Sequence, residues 1–370
     1  MESPLRLGVQ ALVIASAVTV ALAYPAHFVS MFRNPATRWL IGLTTLAILS
    51  TTWSFDPART FMQGATAFAG VLLVVLHSEI RGWQSTRAVL MRGFVVVIAL
   101  GIAVDLASGS EQVRWAGVAG AATQLAQFAV MTAALALLGW LRGHETTIFT
   151  TGVTGLCLTV AFLSQSRVAL LVLVCLCALT VYLRADRAVR PMAILGVVAT
   201  VAMAASALVN QIGQLALRDD TEVGDLTELT GRTSIWSESL ELYPRRPVVG
   251  HGFASGESIW ADRVFTGEIS WYPSNAHNVF LETLLSLGLL GSVVLLGLVV
   301  SVFIHRQNGD GIAASILVVV VLVLGSTEAM VHFASPAFVV LALACSALQL
   351  PGRYNLTMRH ELGAPAIGAR

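Results

Sequence analysis

Residues 274–281 read SNAHNVFL and place one histidine, His277, directly before a long apolar run. The first turn of a helix presents unsatisfied backbone N–H groups and the positive end of the helix dipole. Both features disfavour a second positive charge, so we expect the imidazole to be neutral and able to accept a proton. A helix-capping or interfacial histidine is the alternative interpretation.

Arg167 ends the motif SQSR at 164–167, at the boundary between two apolar spans. Charged side chains in such places usually face a bundle interior or a water-filled cavity, although a long side chain can also snorkel to the surface. The guanidinium is always charged, and its forked donors match phosphate oxygens. Arg167 is therefore a candidate phosphate ligand.

A second arginine, Arg232, lies in TGRTSIW at 230–236, and RRPVVGHGF follows at 245–253. The first motif resembles a short amphipathic helix with Ile235, Trp236 and Leu240 on its apolar side. An interfacial helix anchored by Trp236 is the simpler interpretation. The turn residues Pro247, Gly250 and Gly252 allow the second motif to pack closely over a polar cavity. Arg167 and Arg232 meeting at one such cavity would suit a diphosphate.

The elements that position these residues are membrane helices. Apolar residues make up 56% of the chain and charged residues 12%, against about 45–50% and about 25% in soluble proteins. We predict one all-α polytopic membrane domain over residues 1–370, with about 11 (10–12) transmembrane helices and no internal repeat. The predicted spans are 6–23, 39–53, 60–76, 88–107, 118–140, 146–163, 168–183, 191–210, 278–304, 311–327 and 331–349.

Two local features have alternative interpretations. Residues 1–23 resemble a cleavable signal peptide that ends in Ala21-Leu22-Ala23, but the distribution of arginine favours a transmembrane helix. The cysteines all fall inside predicted spans without metal-ligand spacing or an obvious disulfide partner, so we interpret them as small apolar residues. They are Cys157, Cys175, Cys177 and Cys345.

Arginine alone sets the predicted orientation, because all 22 basic residues are arginine. Alternate connections and the C-terminal tail are rich in arginine and are predicted to be cytoplasmic. They hold Arg33, Arg38, Arg81, Arg87, Arg92, Arg142, Arg184, Arg187, Arg190, Arg306, Arg353, Arg359 and Arg370, whereas the opposite short connections hold Arg6, Arg59, Arg114 and Arg167. The N-terminus and a helical loop over 211–277 are then extracytoplasmic, on the same side as WSFDP (53–57), SQSR and TEAMVHF (327–333).

The motifs WSFDP, LSQSRVALL, TGRTSIW, P-x-x-G-x-G-F and AHNVFLETLLSLGLLG occur in this order between about residues 38 and 300. Together they resemble the O-antigen ligase and polysaccharide polymerase superfamily of bacterial membrane glycosyltransferases. The resemblance implies a GT-C-like fold in the bacterial plasma (inner) membrane, with the active site on the extracytoplasmic face. It implies transfer of a glycan from an undecaprenyl-diphosphate carrier to a hydroxyl of a glycan or lipid acceptor.

The resemblance also implies the roles of individual residues. His277 acts at the acceptor hydroxyl, while Arg167 and Arg232 bind the donor diphosphate. The reaction is expected to invert the anomeric centre without a metal or other cofactor, and no nucleic acid is expected as a partner. The acidic run over 219–228 is interpreted as a solvated face. The supporting residues are Asn278, Trp236, Gly250 and Gly252.

Some features weaken the resemblance. Family ligases often carry a second histidine before the His-Asn pair, where this chain has Asn275 and Ala276. This difference leans toward a polymerase or exopolysaccharide-type member, but the sequence does not choose between polymerase and ligase. A lipid-linked glycan flippase or another transporter is the alternative from a different class. Transporters often show repeated halves and ionisable groups near the bilayer midplane, whereas this chain keeps most of its charge at one face and shows no repeat.

Overall fold

The structure is a computed structural model that describes residues 4–108, 121–184, 227–267, 269, 275–307, 310–326 and 335–348. Within these ranges the ordered elements are helices. The α-helices are α1 Pro4–Ala23, α2 Pro25–Ser30, α3 Pro35–Leu49, α4 Pro57–Arg81, α5 Trp83–Ser108, α6 Ala122–Leu141, α7 Thr147–Leu163, α8 Arg167–Arg184, α9 Thr227–Leu242, α10 Gly256–Phe265, α11 Val279–Ile304, α12 Gly311–Gly325 and α13 Pro336–Ser346. Short 3₁₀ turns lie at Met31–Arg33, Ser50–Trp53 and Tyr243–Arg245.

Several helices begin at residues whose side chains accept backbone N–H groups of the first turn. Asn34, Asp56, Thr146, Asn278 and Ser335 are such N-caps. Proline follows the cap at the start of α3, α4 and α13, where its missing N–H costs nothing. These local signals explain why the predicted apolar runs and the observed helices begin at similar positions.

The core of the bundle consists of α4, α6 and α13, whose side chains are mostly buried. Helices α5, α8 and α11 lie outside them and expose many large apolar side chains. Apolar side chains on the outer surface of long helices are expected where lipid replaces water. This chain is a membrane protein.

The predicted number of spans is not confirmed. Five of the described helices are long and apolar enough to cross a membrane, or six if α1 and the segment Pro25–Arg33, bent by 96°, form one span. Helices α7, α12 and α13 are apolar but shorter. Helices overlap every predicted run except 191–210, which lies outside the described residues.

Contacts between helix ends define two ends of the bundle. At one end, which we call the site end, Ser50 after α3 accepts the N–H of Phe253, and Asn278 before α11 donates to the carbonyl of Ser326 after α12. At the opposite end, Arg142 after α6 pairs with Asp310 before α12 at 2.6 Å. Helix α7 begins near Trp140 at that opposite end, so it delivers Arg167 to the site end.

Helix α11 is broken at Gly288, which has φ 65° and ψ −159°. The break frees backbone groups on both sides of the glycine, and the loop 247–252 satisfies them. His251 N and Gly252 N donate to the carbonyls of Leu285 and Ser286, both at 2.9 Å. The N–H groups that follow the break donate to Pro247 O at 2.9 Å and Val248 O at 3.1 Å. The loop 247–252 thus packs on α11 and supplies partners for the backbone groups that the break frees.

Candidate functional site

His277 lies two residues before the start of α11. It is half-buried and has a left-handed backbone conformation at φ 46°. A residue other than glycine adopts this backbone conformation at a cost of roughly 1–3 kcal/mol, which interactions with its surroundings must offset. Its N–H donates to Asn275 Oδ1 at 2.8 Å. The sequence predicted His277 inside the first turn, whereas the structure places it two residues before the first helical residue, with Asn278 between as the cap.

The residue before His277 is fixed through both of its backbone polar groups. Ala276 N donates to Glu282 Oε2 at 2.9 Å, and Ala276 O accepts from Trp236 Nε1 at 3.0 Å. The Trp236 indole therefore reaches from α9 to the chain beside His277. The competing interpretation of Trp236 as a membrane-surface anchor does not account for this hydrogen bond.

Asn278 fixes the other side of His277. Its Oδ1 accepts from Phe280 N at 2.9 Å and Leu281 N at 3.2 Å, which caps α11. Its Nδ2 donates to Ser326 O at 3.0 Å, which ties the cap to the end of α12. Since Ala276, His277 and Asn278 are all held by hydrogen bonds, the imidazole projects from a defined backbone.

Glu282 is a residue of the site that sequence reasoning missed. Its carboxylate is buried, and it accepts from Ser286 Oγ at 3.1 Å as well as from Ala276 N. A Cβ added at Gly256, the first residue of α10, would lie 3.3 Å from Glu282 Oε1. The carboxyl group of Glu282 thus lies close to the N-terminus of α10. The available signal was a lone carboxylate in the first turn of a 26-residue apolar helix.

Trp260 on α10 also lies close to Gly256. Its side chain is fully buried, and its Nε1 lies 3.8 Å from the position of a Cβ at Gly256. Within the described part of the chain, this indole N–H has no hydrogen-bond partner. Helix α10 is held in turn by the ion pair between Arg263 and Glu238 of α9 at 2.7 Å.

The WSFDP motif joins the same assembly from the start of α4. Asp56 caps α4 through Oδ1 and accepts from Ser258 Oγ through Oδ2 at 2.8 Å. Arg59 pairs with Glu257 of α10, and Trp53 Nε1 donates to Val249 O at 3.0 Å. The motif thus supports the loop and α10 that back the His277 segment.

Gly250 and Gly252 make close approaches that side chains would block. Gly250 has φ 68°, and a Cβ there would lie 2.5 Å from the Ser286 carbonyl. Gly252 has φ 108°, and its Cβ would lie 2.2 Å from Ser54 Oγ. The predicted tight packing of this loop is therefore present, but it packs on α11 and on Ser54. Its role in covering a polar cavity stays a prediction.

His251, between these glycines, is buried against α11, and its Nδ1 lies 3.2 Å from Leu285 O. Burial is the main cause that lowers the pKa of this imidazole, and the charges of Arg246 and Arg245 lower it further. The hydrogen bond to Leu285 O acts in the opposite direction. A neutral ring that donates from Nδ1 fits these surroundings.

The side chain of one predicted diphosphate ligand, Arg167, lies within the described residues, and that of the other, Arg232, does not. Arg167 is exposed at the first position of α8, at the site end, and Gln165 before it has φ 53°. Arg232 lies on α9, but its side chain lies outside the described residues. The shared pocket for Arg167 and Arg232 therefore stays a prediction. On α9 the predicted apolar positions differ, because Ile235 is buried and Leu240 is exposed.

Other predicted features also lie outside the described residues. They are the motif at 327–333, residues 211–226 of the loop, and the acidic side chains at 219–228. In the part of the chain that is described, no group of three His, Cys, Asp or Glu side chains could hold a metal ion. The described cysteines are free, with Cys157 and Cys345 buried.

Residues with a left-handed backbone conformation lie within the sequence motifs or directly next to them. Among the described residues, Gln165, Ala254 and His277 are the non-glycine residues with positive φ. They lie in SQSR, directly after GHGF, and in NAHN respectively. Such conformations tend to cluster at functional sites, so this coincidence supports a hypothesis of function at the site end.

Residues 152–296 match the family model for O-antigen ligase. The chain is also 25% identical over 279 residues to the exopolysaccharide production protein ExoQ of Rhizobium meliloti (strain 1021). Residues 152–296 are therefore similar to O-antigen ligases. The alignment covers 72% of this chain and 53% of ExoQ, so the chain spans about half the length of that relative. The O-antigen ligase match includes every predicted site residue.

Proposed function

We propose that this chain is a glycosyltransferase that moves a glycan from an undecaprenyl-diphosphate carrier to an acceptor hydroxyl on the outer face of the plasma membrane. The observation that carries the proposal is the position of His277. It lies within the segment that matches O-antigen ligases, on a backbone held by Asn275, Glu282, Trp236 and Asn278. An imidazole on a fixed backbone at the site end is suited to act on a hydroxyl.

In the proposed reaction, the acceptor oxygen attacks the anomeric carbon as His277 removes the hydroxyl proton. A new carbon–oxygen bond forms, and the bond from the anomeric carbon to the diphosphate oxygen breaks with inversion. Arg167 and Arg232 stabilise the charge on the leaving diphosphate, which stays on the carrier lipid. His277 ends the step protonated and then releases its proton to water. We infer no metal or other cofactor in this step.

We infer that the acceptor is another carrier-linked glycan or an envelope glycan, which would make the enzyme a polymerase or an exopolysaccharide-type ligase. Two observations support this choice over a lipid acceptor. Asn275 and Ala276 replace the second histidine that ligases often carry, and a curated relative is named for exopolysaccharide production.

The proposal is tested with the purified chain in proteoliposomes that contain a carrier-linked glycan and acceptor but no ion gradient. We expect consumption of the donor with release of undecaprenyl diphosphate and a longer or newly linked glycan. Movement of intact donor across the bilayer without its consumption is the result for a flippase, the alternative class, and it would contradict the proposal.

A further inference from the structure

A cavity of about 360 Å³ lies at the opposite end of the bundle, between α1, α4 and α5. Since α4 has 25 residues, its end at Arg81 lies about 37 Å from the site end. This cavity is therefore separate from the His277 site, and nothing in the proposed transfer reaction uses it. Its volume is within the roughly 300–1,000 Å³ of small-molecule sites.

One wall of the cavity is apolar. Val20 of α1, Leu73 of α4 and Leu90 of α5 contribute to it. All three side chains are half-buried, and Val89 at the rim is exposed. The wall can therefore be reached from the surface that faces lipid, and it is suited to a hydrocarbon chain.

The other part of the cavity is polar and carries a positive charge. Arg81, Tyr24, His77 and Thr86 line it, and Arg81 and Tyr24 are exposed. His77 Nδ1 and Thr86 Oγ1 lie 2.8 Å apart, which fixes the imidazole against α5. The neighbouring carboxylate of Glu79 accepts from Ser30 Oγ at 3.0 Å, and Ser30 does not line the cavity.

The cavity has a positively charged polar part beside an apolar wall that is open to lipid. This combination suits an anionic amphiphile. Forked guanidinium donors suit phosphate, and tyrosine and imidazole can bind the remaining oxygens. Basic pockets between helices on the cytoplasmic side are a recognised kind of site for anionic lipid headgroups. The opposite end is the one where arginine is abundant, and it is predicted to be cytoplasmic.

We propose that this cavity binds an anionic phospholipid, with its glycerol phosphate at Arg81 and Tyr24 and one acyl chain along the wall formed by Val20, Leu73 and Leu90. The volume holds the headgroup and the first part of one chain. The rest of the lipid lies in the bilayer. The bound lipid would join α1 to α4 and α5 where α1 bends at Tyr24.

The test is native mass spectrometry of the full chain released from nanodiscs of equal phosphatidylglycerol and phosphatidylethanolamine. We expect wild-type protein to retain phosphatidylglycerol preferentially, and Arg81→Gln to lower that preference about fivefold, the effect of one basic residue at an anionic surface. Val89→Trp keeps every charge but narrows the mouth, so it should lower the retention of the same lipid. Arg38→Gln removes an exposed charge at the same end, outside the lining, and should retain the wild-type preference.

Three results would overturn the proposal. Unchanged lipid retention in Arg81→Gln would show that Arg81 does not bind the lipid in this cavity. Equal losses in Arg81→Gln and Arg38→Gln assign the preference to general attraction between the surface and the bilayer. Displacement of the lipid by soluble glycerol phosphate at equal concentration assigns the cavity to a free phosphate. All these variants change exposed residues, and thermal unfolding of each one checks that the fold is retained.

Discussion

At the residue scale, the position of His277 depends on side chains from two helices, Trp236 on α9 and Glu282 on α11. His277 as a candidate site residue and Asn278 as a helix cap were predictable from the sequence. An asparagine before an apolar run is a local signal for a helix N-cap. Glu282 was not predictable as a site residue. Its burial depends on α10 and on residues 250–256, which reach it only after the chain has folded.

Glu282→Ala should destabilise the His277 segment, because Ala276 N–H loses its acceptor inside the protein. An unsatisfied buried donor costs roughly 1–3 kcal/mol, so we expect lower stability together with lower turnover. Ser286→Ala removes only the second hydrogen bond to the carboxylate and should have the smaller effect. Unfolding in mixed micelles and the transfer assay measure both. Equal effects of the two variants would contradict the role of Glu282 in holding Ala276.

His251 predicts a dependence of stability on pH. Its pKa in the folded chain is below the ordinary value of 6.5. The unfolded chain therefore binds a proton first as the pH falls below about 6.5, and stability decreases until the folded pKa is reached. At pH values above this window, His251 contributes no pH dependence to the stability of the fold. Comparing unfolding of wild type and His251→Gln at pH 8 and pH 5 should show a smaller acid loss in the variant. An equal loss in both proteins would exclude His251 as the cause.

At the element scale, the break in α11 is the feature that organises the site end. The sequence from Val279 to Ile304 looks like one uninterrupted apolar span, and Gly288 in it resembles any other glycine of a membrane helix. The break depends on backbone partners about 40 residues earlier in the chain, in the loop 247–252. Periodicity and composition are local, so they located the helix but not its break.

Gly288→Ala should therefore be strongly destabilising. Its φ of 65° is left-handed, and the added Cβ would lie 2.4 Å from Val248 O. The backbone cost alone is about 1–2 kcal/mol, and the clash adds to it. Gly93→Ala is the matched control, because nothing lies within 4 Å of its added Cβ in α5, and it should be neutral or slightly stabilising. Similar unfolding of the two variants in mixed micelles would contradict the role of the break.

At the scale of the whole molecule, the helical class followed from hydropathy. The described motifs WSFDP, SQSR and RRPVVGHGF lie at one end, as the distribution of arginine predicted, whereas the motif at 327–333 lies outside the described residues. The number of spans did not follow. Helices α7, α12 and α13 are shorter than a bilayer-spanning helix, and α1 continues into a bent segment after Tyr24. Packing between helices decides such lengths and bends, and a hydropathy pattern carries no information about that packing.

The predicted orientation places the site end outside the cytoplasm. We expect a cysteine at the exposed position Asp262 of α10 to react with a membrane-impermeant thiol reagent in sealed right-side-out vesicles. A cysteine at the exposed position His144, at the opposite end, should react only after the vesicles are opened. The native cysteines are first replaced by alanine. The reverse pattern of labelling would place the candidate site on the cytoplasmic face.

The most direct test of the account is turnover and donor binding measured side by side for His277→Ala. Alanine keeps the Cβ and removes the imidazole, and thermal unfolding of the variant checks that the left-handed backbone at this position is retained. His144→Ala, at the opposite end of the bundle, is the control. Loss of a general base lowers turnover by roughly 10²- to 10⁴-fold, and we expect this loss with carrier-linked glycan binding close to wild type. Turnover near that of wild type, or equal losses of binding and turnover, would contradict the assignment of His277 as the base.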